Sequence, residues 1–366
     1  MSPTPPPFPE YKIALLGFGN VGQAFVELLL EKKDDLIEKP GIGFRVVGIG
    51  SGSHGRAVDP RGLPLREVLD AYRGGKSLDN YSSIPILDSA EFIEKCGADA
   101  LIETTPVDYQ TGEPAISYLK QALEMGIHAI TANKGPVVHG YRELGSLARR
   151  KGVSFLFESA VMDGAPVFSI ARSGLPGAKV IGFSGILNST TNMILSRMEE
   201  GETQEEAISY AQSIGIAETD PSGDVDGWDA AVKVSALVTV LMDIPFTPEM
   251  IERTGIRGIT PDMIENAAQS GQRWKLVCNA KRDPSSIHGV KAVIEPRLVN
   301  QTSHLYNVSG TSAILEISSD VLGKLSLIEE NPSPRTTAYG ILADLLNALV
   351  GHSVDRTWAA TEKRSR

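Results

Sequence analysis

Cysteine is scarce in this chain: its 366 residues include only Cys96 and Cys278. Two cysteines in opposite halves of the sequence exclude a disulfide framework and a cysteine-based zinc site, and they indicate a reducing, cytoplasmic compartment. Basic residues are not in excess either, because the formal net charge is -10. A nucleic-acid binder needs a basic face to meet phosphates, so nucleic acid is excluded as a partner.

Long apolar runs are also absent. No uncharged apolar stretch reaches the ~18 residues of a membrane-spanning helix, so we expect no membrane partner. The opening residues, MSPTPPPFPE, do not have the pattern of a secretion signal, and residues 1–10 are interpreted as a Pro-rich disordered tail. The remaining composition, 42% hydrophobic and 22% charged, is ordinary for a globular α/β protein, and the length suits two domains.

Short apolar runs alternate with amphipathic stretches over residues 11–157. The runs are KIALLG, FRVVGIG, SIPIL, ALIETT, HAITANK and SFLFES, and each is too short for a helix. Helical patterns lie between them, and VGQAFVELLLEKKDDLIEK is the longest. This alternation predicts an α/β domain with a Rossmann-type, doubly wound parallel sheet.

Residues 158–335 follow a different pattern. Two helical segments, QEEAISYAQSIG and DAAVKVSALVTVLM, precede apolar runs that alternate with polar residues, such as VKAVIEPRLV, SAILEIS and GKLSLIEE. This order predicts a second, α+β domain with a mixed or antiparallel sheet. The last helical pattern, about residues 336–351, is assigned to the first domain.

A glycine-rich turn, GFGNVG, follows the first predicted strand (residues 12–16) and opens a helix. The first glycine is expected to make the tight turn, the second to admit a pyrophosphate, and the third to let helix and strand pack closely. A purely structural turn is the alternative, but the flanking strand and helix favour a dinucleotide site with amides directed at phosphates. The predicted cofactor contacts of the turn are Gly17, Gly19, Asn20, Val21 and Gly22.

The end of the second predicted strand bears on the choice of cofactor. An acidic residue usually holds the adenosine ribose there, but this chain continues with SGSHGR (residues 51–56) and has no carboxylate before Asp59. Ser51 and Arg56 suit the 2′-phosphate of NADP better than a bare 2′-hydroxyl. We therefore predict NADP, with NAD still possible; a solvated loop with an incidental arginine is the alternative interpretation.

Polar residues end two further predicted strands of the first domain. Thr104 and Thr105 end the fourth strand, and Asn133 and Lys134 end the fifth. Ligands of open α/β sheets bind beyond the carboxyl ends of the strands. Thr104, Thr105 and Lys134 are therefore predicted cofactor contacts, and Lys134 is interpreted as functional rather than solvated.

The densest polar segment is GIAETDPSGDVDGWDAAVKVSAL. Its first acidic residues, predicted on a loop, are Glu218, Asp220, Asp224 and Asp226. Asp224 or Asp226 is expected to cap the next helix, on which Asp229 and Lys233 are four residues apart and share a face. These residues leave two interpretations open: a surface ion pair, or a buried lysine whose pKa moves toward neutrality for proton transfer.

Five segments, GFGNVG, TANKGP, ESAVMDGAP, GILNSTTNMIL and AQSIGIAETDPSGDVDGWDAAVK, resemble homoserine dehydrogenases in order and spacing over about residues 11–240. The resemblance implies an NAD(P)-dependent oxidoreductase that interconverts L-homoserine and L-aspartate 4-semialdehyde, a step in threonine and methionine synthesis. It also implies a small-molecule substrate and a homodimer formed through the second domain.

The resemblance assigns roles to particular residues. It implies that Lys233 is the catalytic acid/base and that Lys134 is a second catalytic lysine near nicotinamide and substrate. The substrate-binding residues that it implies are Thr190, Glu218, Asp224 and Asp229. A monovalent-cation site is implied at Glu158 with the backbone carbonyls of Val161, Asp163 and Ala165; a plain strand-end carboxylate is the alternative for Glu158.

The resemblance has one gap, at residues 327–338. The sequence there, LIEENPSPRTTA, keeps the helix start but lacks the family's GxGAG-type loop. A relative acting on another short hydroxy amino acid therefore stays open, as does a catalytically silent NADP-binding regulator, against which Lys134, Glu218, Asp229 and Lys233 argue. No regulatory amino-acid-binding domain is found by sequence, so feedback inhibition by threonine is not expected.

Overall fold

Residues 8–38 and 41–351 are described by a computed structural model. Among them, the first compact unit comprises residues 8–38, 41–136, 140–159 and 334–351, and the second comprises residues 137–139 and 160–333. Most of the predicted N-terminal tail, residues 1–7, lies outside the described residues. The first strand begins inside the rest of that tail, at Glu10.

The first unit is built on a six-stranded sheet within the described residues. Its strands are β1 Glu10–Leu16, β2 Gly43–Ser51, β3 Gly55–Val58, β4 Ala100–Glu103, β5 His128–Thr131 and β6 Phe155–Leu156. Their spatial order is β3-β2-β1-β4-β5-β6, with parallel pairs throughout except the antiparallel pair β2–β3. The strands are rich in buried apolar residues because both faces of a parallel sheet are covered.

Helices lie on both faces of this sheet. They are α1 Asn20–Glu38, α2 Leu65–Arg73, α3 Ser89–Lys95, α4 Ala115–Glu124, α5 Lys134–His139 and α6 Tyr141–Lys151, with 3₁₀ turns at Leu78–Tyr81 and Glu158–Ala160. On one face Ile13 and Leu15 pack with Phe25 of α1. On the other face Leu16 packs with Phe92 of α3. The predicted doubly wound α/β domain is confirmed.

One predicted strand of this sheet is wrong. The SIPIL segment, residues 83–87, contains no strand, and the third strand of the sheet is instead Gly55–Val58. Pro85 has no N–H to give to a ladder, whereas Gly55, at φ +81°, permits the tight turn that folds β3 back on β2. Arg56 therefore lies on an edge strand rather than on a loop.

The second unit contains the other six-stranded sheet of the described residues. Its strands are β7 Val180–Ile186, β8 Glu252–Arg253, β9 Gln272–Arg282, β10 Val290–Asn300, β11 Ala313–Ser319 and β12 Gly323–Glu329. Their order is β12-β11-β7-β9-β10-β8, and the pairs are antiparallel except β10–β8. The sheet is therefore mixed, as predicted, although β9 was not foreseen from the sequence.

Its helices are α7 Val167–Ser169, α8 Ser189–Glu199, α9 Gln204–Ser213, α10 Ser222–Val225, α11 Trp228–Leu241 and α12 Pro261–Gln269, with irregular helical turns at Ile170–Gly174, Pro248–Met250 and His304–Asn307. The residues of α11 are almost all buried. The predicted cap of α11 is wrong: Gly227, at φ +77°, precedes it without a side-chain cap. Asp224 lies within α10, and Asp226 pairs with Arg257.

The last helix, α13 Pro334–Val350, belongs to the first unit. Ile341 and Leu345 of α13 join the same apolar cluster as Phe25. The Asp344 carboxylate accepts a hydrogen bond of 2.6 Å from the Glu158 backbone N–H. In the segment without the family's glycines, Asn331 adopts φ +50°, which asparagine tolerates better than most residues. No helix of the described residues is long and apolar enough to cross a membrane.

Candidate active site

The glycine turn after β1 has the geometry that its spacing predicts. Gly17 has φ +103°, and a Cβ there would overlap the backbone of Thr104. A Cβ built on Gly22 would lie 2.6 Å from the Gly17 carbonyl oxygen, so this position also requires glycine. At Gly19, by contrast, no heavy atom of the described residues lies within 4 Å of a built Cβ. This open side, next to a helix N-terminus, fits the pyrophosphate of a dinucleotide.

The end of β4 is joined to this turn. The Thr104 hydroxyl donates to the Gly17 carbonyl oxygen at 2.9 Å, and the Thr104 N–H donates to Leu16. Helix α1 begins at Asn20, so the amides of Asn20 and Val21 belong to its first turn. The structure thus brings together all five residues of the glycine turn and Thr104.

Hydroxyl and imidazole groups follow β2, where many dinucleotide-binding proteins have an acidic residue. Ser51 ends the strand, and its hydroxyl is 3.4 Å from that of Ser53. The Ser53 hydroxyl is 2.7 Å from Nδ1 of His54, whose ring centroid is 4.5 Å from that of Tyr72. A 2′-phosphate would find hydrogen-bond donors here.

Arg56 has an incompletely satisfied guanidinium. Its Nη2 donates to the Ser89 hydroxyl at 3.2 Å, while its Nε is buried and has no hydrogen-bond partner among the described residues. An acidic side chain that the sequence did not point to, Asp79, lies beside the β2–β3 turn. That carboxylate accepts hydrogen bonds from the Arg56 N–H and the Ser77 hydroxyl and is engaged in holding the turn.

Lys134 is the first residue of α5 and is half-buried. The side chain of Asn133 caps this helix by accepting a hydrogen bond of 3.0 Å from the Gly135 N–H. The amide group of Asn133 also donates to the Thr105 carbonyl at 3.3 Å. The loops that follow β4 and β5 are therefore joined at the carboxyl edge of the sheet.

A buried polar cluster lies at the start of α11 in the second unit. Nζ of Lys233 is 3.0 Å from Oδ2 of Asp229, and both side chains are nearly covered, with 13% and 12% exposure. The ammonium also donates to the Leu187 carbonyl at 2.8 Å. The Asn188 amide donates to Asp229 at 3.0 Å and to Asp224 at 2.6 Å. The surface ion pair considered from the sequence is thus wrong, and the lysine is buried.

Electrostatics at Lys233 differ from the sequence-based expectation. Burial by itself lowers the pKa of Lys233, but surrounding negative charge outweighs this effect and raises the pKa above the ordinary 10.5. The charge comes first from Asp229 and then from Asp163 and Asp224. A shift of the lysine pKa toward neutrality is therefore wrong, and Lys233 is a protonated acid at neutral pH.

The predicted substrate residues do not all join this cluster. Thr190 is buried beside Asp224, whose pKa is raised by burial and by neighbouring Asp229. Glu218 is exposed on the loop after α9, where its carbonyl accepts from a glutamine side chain. Asn188, which bridges the two aspartates and caps α8, was missed from the sequence. An asparagine directly before Ser-Thr-Thr at a helix start was its only signal.

The residues of the predicted cation site are close in sequence but are divided between the two units. Glu158 is 3% exposed in the first unit. Asp163, at φ +40°, lies in the second unit with Val161 and Ala165, whose carbonyl accepts from the Val167 N–H at 2.8 Å. Within the described ranges, no group of three or more acidic, histidine or cysteine side chains could hold a metal ion. A cation here would therefore depend on backbone carbonyls.

A dinucleotide cradle in one unit and a buried lysine–carboxylate cluster in the other define an NAD(P)-dependent oxidoreductase. Residues 17–158 match the family model of the homoserine dehydrogenase NAD-binding domain, and residues 166–346 match that of homoserine dehydrogenase. The chain belongs to the homoserine dehydrogenase family.

Individual relatives agree with the family models. The chain is 35% identical over 340 residues to the NAD(+)-dependent homoserine dehydrogenase of Pseudomonas canavaninivorans, covering 92% of this chain and 96% of the relative. Its fold is similar to that of a putative homoserine dehydrogenase from Archaeoglobus fulgidus, with TM-score 0.80, 32% identity and coverage of 92% and 98%. It is also similar to a hyperthermophilic archaeal homoserine dehydrogenase in complex with NADPH, with TM-score 0.78, 28% identity and coverage of 94% and 99%.

Proposed function

We propose that this homoserine dehydrogenase oxidises L-homoserine reversibly to L-aspartate 4-semialdehyde, within threonine and methionine biosynthesis in the cytoplasm. The observation that carries the proposal is the buried contact between Lys233 and Asp229, bridged through Asn188 to Asp224. A zwitterionic amino acid needs carboxylates for its ammonium group, and its hydroxyl needs a proton acceptor when it is oxidised. Both requirements meet on the first turns of α11.

In this mechanism Asp229 and Asp224 bind the substrate ammonium, assisted by Thr190 and, from its loop, Glu218. The added positive charge offsets the carboxylates that hold the Lys233 pKa high, so the pKa of Lys233 falls when homoserine binds. Lys233 first releases its own proton to solvent, and its neutral amine then takes the hydroxyl proton during oxidation. In the reverse direction it returns that proton to the oxygen of the aldehyde.

The nicotinamide supplies the hydride chemistry when the dinucleotide is bound. Gly17, Gly19 and the first amides of α1 would hold its pyrophosphate, and Thr104 and Thr105 would line the strand end beside it. Lys134, at the N-terminus of α5, orients the reacting hydroxyl as the second catalytic lysine.

The activity is tested by following NADPH oxidation with L-aspartate 4-semialdehyde and with a panel of other short aldehydes. We expect turnover with the semialdehyde to exceed turnover with every other member of the panel. Faster turnover of a different aldehyde would assign another hydroxy amino acid as substrate. Tight NADPH binding without turnover of any aldehyde would instead indicate a regulator.

We also propose that the enzyme prefers NADP to NAD, because hydrogen-bond donors suited to a 2′-phosphate follow β2 in place of a carboxylate. Arg56→Ala is expected to lower kcat/KM for NADP and to leave kcat/KM for NAD unchanged. The expected loss corresponds to about 1–3 kcal/mol of binding free energy, the contribution of charge-assisted hydrogen bonds to a phosphate. The measurement is kcat/KM with each coenzyme for the wild type and the variant.

The control for this comparison is Arg61→Ala, which removes an exposed arginine bound to Asp59 near the same strand. It should leave the coenzyme ratio unchanged. An equal loss with NADP and NAD in Arg56→Ala would mean that Arg56 supports the fold through Ser89 and does not contact the coenzyme.

Two further features complete the proposal. We propose a homodimer formed through the second sheet, on one face of which the partly buried Ser184, Asn279 and Glu316 are cross-strand neighbours; sedimentation at the monomer mass would contradict it. A monovalent cation at Glu158 and the carbonyls of Val161, Asp163 and Ala165 is proposed to order that segment. Activity that is equal in potassium, sodium and tetramethylammonium buffers would contradict the cation.

A further inference from the structure

Glu103, the last residue of β4, is a completely buried acid that the mechanism above does not use. Its exposure is 0%, and it follows three buried apolar residues of β4 inside a parallel sheet. Burying an ionisable carboxyl group is costly unless hydrogen bonds compensate. Burial raises the pKa of Glu103, and hydrogen bonds from its neighbours partly oppose that rise.

The carboxyl group of Glu103 joins two loops at the carboxyl edge of the sheet. Its Oε1 accepts hydrogen bonds from the Thr105 N–H at 2.7 Å and from the Thr105 hydroxyl at 2.5 Å. Its Oε2 accepts from the Thr131 hydroxyl at 2.5 Å. Thr105 follows β4 and Thr131 ends β5, so one side chain fixes both strand ends.

The connection continues from Thr131 to the start of α5. The Thr131 oxygen accepts a hydrogen bond of 2.8 Å from the Asn133 N–H, and the Asn133 side chain accepts from the Gly135 N–H at 3.0 Å. Lys134 lies between these two residues. Its backbone is therefore held on both sides by a chain of hydrogen bonds that begins at the Glu103 carboxyl group.

We propose that Glu103 is a positioning residue for the dehydrogenase reaction: through Thr131 and the Asn133 cap it fixes the direction in which Lys134 points, and it holds Thr105 directly. The inference rests on the proposed catalytic role of Lys134. Glu103 does not touch substrate in this arrangement. Its effect on the reaction passes through a backbone segment, so the effect depends on hydrogen bonds and not on charge reaching the substrate.

Thr131 is the best position for a test, because replacing the buried Glu103 risks unfolding the sheet. Thr131→Val keeps the size of the side chain but removes the hydroxyl, which leaves the Asn133 N–H and one Glu103 oxygen without this partner. Thr131→Ser is the matched control, since it keeps the hydroxyl and loses only a methyl group. A purely packing role for Thr131 predicts that the serine variant is the more damaged of the two.

We expect Thr131→Val to lower kcat by up to about 100-fold, the cost of misplacing a catalytic group by about 1 Å. Thr131→Ser should restore kcat close to the wild-type value. NADPH binding to the isolated protein, followed by fluorescence, should weaken far less than kcat falls in Thr131→Val, because the glycine turn that would hold the pyrophosphate is untouched, and it should stay at the wild-type value in Thr131→Ser. Chemical acetylation of the Lys134 side chain, followed by mass spectrometry, reports the surroundings of its amine. The rate of this acetylation should differ from the wild-type rate in Thr131→Val and should equal it in Thr131→Ser.

The decisive comparison is made in a Lys134→Ala background. Because Glu103 and Thr131 act through Lys134, adding Thr131→Val to Lys134→Ala should change kcat by less than about twofold. The effects of residues that act as one unit do not add. Full additivity in that background would overturn the inference and leave the role of Lys134 intact. A wild-type kcat for Lys134→Ala alone would overturn the role of Lys134, and the inference with it.

Discussion

Lys233→Ala is expected to lower kcat by about 10²–10⁴-fold, the usual loss when a general acid or base is removed. The reason is the proposed role of Lys233 as the proton carrier of the buried carboxylate cluster, in which its Nζ is held by Asp229 at 3.0 Å and by the Leu187 carbonyl at 2.8 Å. The measurement is steady-state kcat in both directions, with NADPH binding and thermal unfolding measured alongside to confirm that the variant is folded.

The matched variant is Lys233→Arg, which keeps the positive charge. It should not restore activity, because a guanidinium group stays protonated and cannot accept the hydroxyl proton. Retention of more than about a tenth of the wild-type kcat by Lys233→Ala would be too small an effect for a lost acid or base. The proton would then pass through Lys134 or through water.

Asp229→Asn is expected to raise KM for homoserine by about 10- to 100-fold, the effect of losing one charge-assisted hydrogen bond. Asparagine has the same shape but no longer balances the substrate ammonium. Because Asp229 is also the main cause of the raised Lys233 pKa, its neutralisation should move the pH dependence of homoserine oxidation to lower pH. Steady-state kinetics as a function of pH measure both effects.

Two comparisons sharpen this prediction. Asp226→Asn is the control, since Asp226 lies three residues away and pairs with exposed Arg257; its KM and pH profile should be those of the wild type. Glu218→Gln should raise KM less than Asp229→Asn, because Glu218 is exposed on its loop. If NADPH binding weakens while the homoserine KM holds, the assignment of Asp229 to the substrate is wrong.

The features that could be predicted from the sequence are those that depend on neighbouring residues. The functions of Gly17 and Gly22 in the turn follow from backbone conformation and from the close approach of strand and helix. The alternation of short apolar runs and helical patterns likewise predicts a parallel sheet with helices on both faces. In these cases a pattern within a short stretch of sequence is enough to indicate the structure, even where the contacts themselves join distant residues.

The features that could not be predicted depend on partners far along the chain. Asn188 lies 36 residues from Asp224 and 41 from Asp229, and the spacing of these residues does not show that one amide bridges both carboxylates. The direction of the Lys233 pKa shift was wrong for the same reason, since burial could be guessed from apolar neighbours but the sum of surrounding charges could not.

The third strand of the first sheet could not be predicted, because pairing with a neighbouring strand decides its position more than the strand propensity of its residues does. Residues 83–87 have the apolar residues of a strand, but Pro85 lacks a donor and no partner edge receives them among the described residues. The less apolar β3 segment forms a strand because a turn at Gly55 places it against β2. An acid within an apolar run, Glu103 in ALIETT, is the one visible sign in that segment of the sequence of a buried polar network.

The most direct test of this account is the pH dependence of kcat/KM for homoserine oxidation by the wild type and by Lys233→Ala. Because the pKa of Lys233 is raised above 10.5, the proton-accepting form is scarce at neutral pH, and wild-type oxidation should keep increasing into the alkaline range. Lys233→Ala should lose this increase, apart from the titration of the substrate ammonium that both enzymes share. A variant that keeps the full wild-type profile at a uniformly lower rate would contradict the assignment of Lys233 as the proton acceptor.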